Sequence, residues 1–467
     1  MYYGGKGMRK NFIASLAIVM VSTFAASAQQ DGGQEEVITL TVDQAVEYAL
    51  QNSRDLKSND IDLAIKERSA KYSWNVFLPD ITVSGTAART TDIDSTLNQM
   101  NAMQGLAVIN GGVPHILEAE EKYHWALVGN INAQLNLSLA YIYSIRAAKA
   151  GYEGGKITWE QSQKQTIMNI KKLFYGLLLQ QESLEIQRMS LENARQRAAQ
   201  AQINFNNGRI PQLQFFNAQV TYENQRPEVE TAERSFNQQL DTFAFLIGMP
   251  VGTKIELSGS IEPEYVNVTT EELLEKYGEK NLDLRALQNN INILNMNLKA
   301  LNLSSYTPAL VLSYGYQPTG TWWSGDLDFA DQGSLSITLA FNITNMLPWS
   351  ANRQQAQDLK DNISKLNLTM ETLTENQKVQ VRKAVDTLNQ AREQIDSMGR
   401  TVELAQRSYD MSVSSFNNGR MELLDVRDAQ TQLNQAMLGQ LNQKFNYISA
   451  LMDLEYELNS DLSEYKE

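Results

Sequence analysis

Few residues of this chain are spaced for chemistry on a bound substrate. The two histidines, His115 and His124, have no cysteine and no paired carboxylates at ligand spacing, so no metal site is expected. Gly154-Gly155-Lys156 has the shape of a phosphate loop but fails as one. Ala150 stands where the leading glycine is required and Ile157 where the hydroxyl residue is. No serine, histidine and acid combine into a plausible triad, so the chain reads as a non-enzyme that needs no cofactor. Asp425 and Asp428, three apart, fall on one helix face. Taken alone they are two solvated surface acids. What remains is to ask what elements the chain builds.

Composition narrows the classes. The 467 residues are too many for one small core and imply an extended or multi-part architecture. There is no cysteine, which removes disulfides, thiolate metal sites and a thiol nucleophile together. A net charge of −14 argues against a nucleic-acid partner. Only 9 prolines and 26 glycines leave room for very long helices. Lys6, Arg9 and Lys10, the apolar run Phe12–Phe24 and the small-x-small triplet Ala26-Ser27-Ala28 read as a signal peptide over residues 1–28. Its removal would take the charge from −14 to −17. No other segment reaches the roughly 18 apolar residues of a membrane-spanning helix.

The remaining chain is written twice. Phe205-Asn206-Asn207-Gly208-Arg209 recurs as Phe416-Asn417-Asn418-Gly419-Arg420, 211 positions on, and Ala218-Gln219 recurs as Ala429-Gln430. Upstream of each copy runs a heptad: Ile170, Leu177, Leu184, Leu191, Ala198, Phe205, and Val381, Leu388, Ile395, Val402, Tyr409, Phe416. A seven-residue period held this long is a coiled-coil seam. The return arms carry Phe215, Tyr222, Val229, Phe236, Phe243 and Val426, Leu433, Gln440, Tyr447, Leu454, the second weakened at Gln440. Asn-Gly between heptad runs is turn chemistry. Two helical hairpins follow, over about 145–247 and about 352–458, each with an outgoing arm of about 60 residues or roughly 90 Å. Thr41-Val42-Asp43-Gln44 and Thr269-Thr270-Glu271-Glu272 are capping boxes that open the two halves. The first half spans 29–260 and the second 261–467, with Met249–Asn267 as a mixed connector. Pro227 should kink or interrupt its helix.

Between the helices the period drops from seven to two. Leu127, Gly129, Ile131, Ala133, Leu135, Leu137 and Leu139 alternate with Asn130, Asn132, Gln134, Asn136 and Ser138. Leu335, Ile337, Leu339, Phe341 and Ile343 alternate in the same way against Ser334, Ser336, Thr338 and Asn342. Shorter runs follow Pro79 and Pro308. Four strands are expected, at about 79–90, 125–140, 308–316 and 334–343. Alternation alone also fits a soluble sheet with one wet face. The near absence of charge on the polar face, with Trp125, Trp322 and Trp323 at strand ends or in the loops between strands, fits a transmembrane barrel instead. Lipid cannot satisfy an open strand edge, and barrels begin at about eight strands. Four strands per chain must therefore be shared between chains, and three chains give twelve.

This order of elements resembles the TolC-like outer membrane efflux proteins over essentially the whole mature chain. The most specific parts are Phe416–Arg420 and Leu424-Asp425-Val426-Arg427-Asp428-Ala429-Gln430. The resemblance implies a mostly helical fold with a membrane β-barrel contribution. Duplicated hairpins would form a trimeric α-barrel tunnel, and four strands per chain a shared 12-stranded barrel in outer-membrane lipid. It implies an export role as a passive conduit in a tripartite efflux or type I secretion system, with a periplasmic adaptor and an inner-membrane pump as partners. The tip residues Asn207, Gly208, Arg209, Asn418, Gly419 and Arg420 would meet the adaptor. Asp425 and Asp428 would line the aperture as stacked acidic rings favouring cations, with Gln214 and Asn217 at the matching places of the first half. Phe205, Phe416 and Met421 would lie nearby, although the two phenylalanines read first as ordinary heptad core. Phe416 and Met421 replace the family's Tyr and Arg contacts, so a closed aperture would rest mostly on apolar packing. A periplasmic coiled-coil or adaptor protein explains the heptads but not the strands. An adhesin would need long external loops, and only Thr91–His124 is long enough.

Overall fold

The computed structural model describes residues 37–95, 97–99, 101–102, 124–250, 252–321, 333–418 and 420–466. The expected signal segment, His115, Trp322, Trp323 and Gly419 lie outside them. In chain order the elements are β1 Ile38–Leu40, α1 Val42–Asn52, α2 Arg54–Lys71, β2 Asp80–Arg89, β3 Trp125–Leu137, α3 Ala140–Asn206 and α4 Gln212–Ile247. The second half continues with β4 Ile255–Leu257, α5 Thr270–Tyr277, α6 Leu282–Tyr306, β5 Ala309–Tyr316, β6 Thr319–Thr321, β7 Gly333–Ala340, α7 Ala351–Asn417 and α8 Leu423–Leu458.

The long helices are copies of one another. Each outgoing arm, α3 and α7, has 67 residues, and each return arm, α4 and α8, has 36. All four boundaries are offset by 211 positions (140 to 351, 206 to 417, 212 to 423, 247 to 458). At about 1.5 Å per residue an outgoing arm is roughly 100 Å long. The heptads form the seams. Ile170, Leu177 and Leu184 are buried in one copy, and Val381, Leu388 and Ile395 in the other. Toward the tip the same seam is only half-buried at Phe205 and Phe416.

Two hydrophobic cores sit midway along the arms, again at the repeat offset. Ile170, Phe174, Leu177, Phe243 and Ile247 anchor the first, and Val381, Val385, Leu388, Leu454 and Leu458 the second. Short elements wrap this level. Parallel strands β1 and β4 close over the first core. The tail Leu462–Lys466 closes the second, where Leu462 is fully buried and Val266 bridges to Lys466. There the Tyr447 hydroxyl accepts a hydrogen bond from the Val266 N–H at 3.0 Å. Lys276 pairs with Glu464 at 2.7 Å, and that bond holds the glutamate below the usual carboxylate range.

Three expectations need correcting. Pro227 does not interrupt α4, which runs unbroken on both sides of it. The proline lies at an exposed position, so the carbonyl it leaves unpaired is not sealed in a core. Of the two capping boxes only Thr41–Gln44 is reciprocal, with Thr41 N donating to Gln44 Oε1 at 3.0 Å and Gln44 N to Thr41 Oγ1 at 3.4 Å. Thr269 caps α5 from one side only, accepting from Glu272 N at 3.4 Å. The last strand stops at Ala340, and Ile343 begins a 3-10 turn that ends at Met346.

Each return arm ends on a left-handed residue at the repeat offset, Gly248 with φ 89° and Asn459 with φ 49°. Both turns close with the bonding of a left-handed cap: Met249 N to Ala244 O at 2.8 Å and Ser460 N to Glu455 O at 3.0 Å. They differ in space, since a Cβ on Gly248 would stand 2.7 Å from Asn52 O. Gly248→Asn is therefore expected to lower stability well beyond the roughly 1 kcal/mol of a strained left-handed residue, whereas Asn459→Gly stays within about 1 kcal/mol. Denaturant melts of the two variants check the difference.

Candidate functional site: the sheet and the hairpin tips

The sheet runs β2-β3-β5-β7, all antiparallel, with β6 extending β5 along the far end of β3. Directly paired residues share a face, so the register sorts the side chains. One face carries Ile81, Val83, Ile131, Leu135, Leu312 and Ile337. The other carries Thr82, Ser84, Asn130, Asn132, Ser313 and Ser336. Ser313 and Ser336 share a hydrogen bond of 2.6 Å across it. In β2, β3, β5 and β7 only the terminal Asp80 and Arg89 are charged. The apolar face is open: Val83 is 73% exposed and Leu335 74%. Among the described residues β2 and β7 are each paired on one side only. Ten residues at about 3.3 Å each, tilted about 40°, span roughly 25 Å, the height of the apolar band of an outer-membrane barrel. No helix of the described residues is long and apolar enough to cross a membrane. Trp125 opens β3 opposite Arg89.

All four strands meet helical segments at the same end of this sheet. There Asp80, Leu137, Ala309 and Ala340 lead to the 3-10 turn Ser73–Phe77, α3, α6 and the turn Ile343–Met346. The hairpin tips lie at the opposite end of α3 and α7. In the first tip Asn207 N donates to Ile203 O and Arg209 N to Asn204 O, with Gly208 at φ 67°. In the second, Arg420 N donates to Ser415 O, the same bond at the repeat offset. Asn207, Gly208, Arg209, Asn418 and Arg420 are all exposed. Phe205 stacks on Phe215 with ring centroids 5.5 Å apart and planes 9° apart, closing the first hairpin by apolar contact. Met421 is at the edge of exposure, and Gln214 and Asn217 point to solvent on the first turns of α4.

Asp425 and Asp428 are both exposed on the first turns of α8. Each has a local partner that sequence reasoning missed. Asp425 Oδ2 accepts from the Glu422 N–H at 3.3 Å, so this acid caps its own helix. Asp428 Oδ1 lies 3.5 Å from Arg427 Nη2. The capping signal, an acid at the third position after Glu422, was visible in the sequence. Gly154-Gly155-Lys156 is plain helix inside α3, with Lys156 paired to Glu153 at 2.7 Å. His124 Nδ1 bonds the Thr90 carbonyl oxygen at 2.7 Å.

Near the tips a polar contact joins the apolar ones. Between the two hairpins Arg197 Nη2 of α3 donates to Gln430 Oε1 of α8 at 2.5 Å, and Gln430 is only 5% exposed. Burial pushes the Arg197 guanidinium below its ordinary value, against the pull of Tyr409. An arginine stays charged under such a shift. Arg197 also lines a cleft of about 270 Å³ with Tyr409, Phe416 and Gln214. No spacing rule joins residues 233 positions apart, so this tie was invisible in the sequence.

A chain built of duplicated 67-residue helices and a small open-edged sheet has the fold of an outer-membrane exit duct. The channel CmeC of Campylobacter jejuni superimposes with a TM-score of 0.71 at 16% identity, covering 91% of this chain and 88% of that one. A membrane protein from Pseudomonas aeruginosa gives 0.69 at 16% identity, with 90% of each chain covered. The outer membrane protein VceC of Vibrio cholerae gives 0.67 at 14% identity, covering 90% of this chain and 97% of that one. No curated protein matches at the sequence level. The family model described as Outer membrane efflux protein matches residues 45–249 and 273–459. The chain belongs to that family.

Arg197→Met should leave the buried Gln430 acceptor unpaired, at about 1–3 kcal/mol. Hydrogen exchange is expected to accelerate in the tip segments around Arg197 and Gln430 and to stay unchanged at the mid-arm cores. Uniform acceleration along the arms would contradict a local tie.

Proposed function

We propose that three copies of this chain assemble into a passive export channel spanning the outer membrane and the periplasm. The observation that carries this reading is the sheet. Its apolar face and both of its edges are left open by the chain, and lipid together with sister sheets can cover them. Three four-stranded sheets make a closed 12-stranded barrel with the Thr82, Asn132 and Ser313 face turned to a wet lumen. The same threefold axis winds the arms of roughly 100 Å into a tube. Nothing in this arrangement supplies energy. An inner-membrane pump would drive transport, joined through a periplasmic adaptor at the tip residues Asn207–Arg209 and Asn418–Arg420. The segment 1–28 would direct export.

At the tips, Asp425 and Asp428 from three chains would stack into two acidic rings that favour cations. Their partners Glu422 N–H and Arg427 moderate that field. The purified mature chain in planar bilayers is expected to give discrete conductance steps with a cation preference. Asp425→Asn with Asp428→Asn keeps an acceptor for the helix cap and should lower the cation-over-anion permeability ratio. An unchanged ratio would remove the ring assignment, and an absence of conductance by the unmodified chain would remove the channel.

A further inference from the structure

The helix-bearing end of the sheet is ringed by exposed aromatic and apolar side chains. Tyr72, Trp74 and Phe77 come from the 3-10 turn before β2 and its flank. Ile343, Met346 and Trp349 come from the turn after β7 and its flank. Trp349 is 81% exposed, a cost in water for the largest side chain of the chain. These residues continue the open apolar face of the sheet past its last hydrogen bonds.

Charge at this level is mostly of one sign. The four segments that meet the strands, residues 71–79, 138–150, 296–308 and 341–354, hold five cations and no acid, and Asp80 at the start of β2 is the one carboxylate on the strand ends that join them, in a chain of net charge −14. The cations are Lys71, Arg146, Lys149, Lys299 and Arg353, all exposed. Four of them are placed by tyrosines. Lys71 lies 5.7 Å over the Tyr72 ring, Arg146 and Lys299 lie 5.1 Å and 5.6 Å over Tyr143, and Arg353 Nη1 donates to the Tyr306 hydroxyl at 2.9 Å. Among the described residues none of these four has a carboxylate within ion-pair distance, so no described acid pairs with their charge. An aromatic ring followed by an uncompensated cationic ring, joined to an apolar band of about 25 Å, matches the sequence of layers at a bilayer surface.

We infer that this collar is a binding surface for anionic phospholipid headgroups of the periplasm-facing leaflet, with Trp74 and Trp349 at the headgroup level and Lys71, Arg146, Lys299 and Arg353 on the phosphates. A neutral lipid surface would leave the charge asymmetry without a partner. Water or a protein partner would leave the aromatic ring discontinuous with the lipid-facing sheet. The inference rests on the outer-membrane reading of the sheet.

The test uses the assembled chain in phosphatidylcholine vesicles doped with brominated lipid, which quenches tryptophan at the depth of the bromine. Chains are prepared with a single tryptophan, the others replaced by Phe, at Trp349, at Trp159 on the arm, or at Ile337→Trp on the sheet. Trp349 is expected to be quenched best by bromine near the headgroup, Ile337→Trp by deeper bromine, and Trp159 by neither. Brominated phosphatidylglycerol should quench Trp349 more than brominated phosphatidylcholine. That preference should fall at least about fivefold with K71Q, R146Q, K299Q and R353Q combined. Quenching of Ile337→Trp without Trp349 would overturn the collar and leave the barrel intact, and loss of both would overturn the barrel itself. Equal quenching of Trp349 by the two lipids would overturn the anionic preference.

Discussion

The structure depends on the backbone groups along the outer edges of β2 and β7. Each strand satisfies its N–H and C=O groups on one side and presents the rest outward. In lipid each unsatisfied group costs several kcal/mol. In water the same sheet would expose Ile81, Val83, Leu335, Ile337 and Leu339, each worth about 1.5–3 kcal/mol when covered. Neither solvent accepts the isolated sheet. Edge pairing between chains inside a bilayer would remove both penalties at once, and on the proposed function this would tie oligomer formation to membrane insertion.

Duplication supplies the rest by repetition. One offset, 211 residues, relates the helix ends, both hydrophobic cores and the two left-handed stops at Gly248 and Asn459. The halves diverge where they meet different neighbours. Gly248 has Asn52 pressed against it and has no room for a side chain, while Asn459 has room to reach Glu160 at 3.2 Å. Phe215 stacks on Phe205 in the first tip, and its counterpart Val426 is buried in the second. The tips of the two hairpins are therefore closed by different side chains on the same backbone plan.

The seams and strands were legible because their periods are carried by neighbouring residues. The heptad from Ile170 and the alternation from Leu127 need no knowledge of what they pack against. The interruption expected at Pro227 does not occur, because local propensity cannot see the long stretches of regular helix on either side that carry it. β1 was missed as well, since three residues are too few to show a period and it exists only by pairing with β4, more than 200 positions away. The Arg197–Gln430 bond and the convergence of Lys71, Arg146, Lys299 and Arg353 at one level are products of the fold. For Asp425 the exposed position on α8 was legible, but its use as a helix cap was overlooked.

The proposed inter-chain pairing of β2 with β7 can be tested directly because the chain has no cysteine. Single cysteines placed at Thr82 on β2 and in turn at Gly333 through Ala340 on β7 would be oxidised in intact membranes and resolved on a non-reducing denaturing gel. The account predicts covalent trimers at a few positions on one face of β7, fading on either side of the matching register. Exclusive recovery of uncrosslinked chains across the whole scan would contradict it.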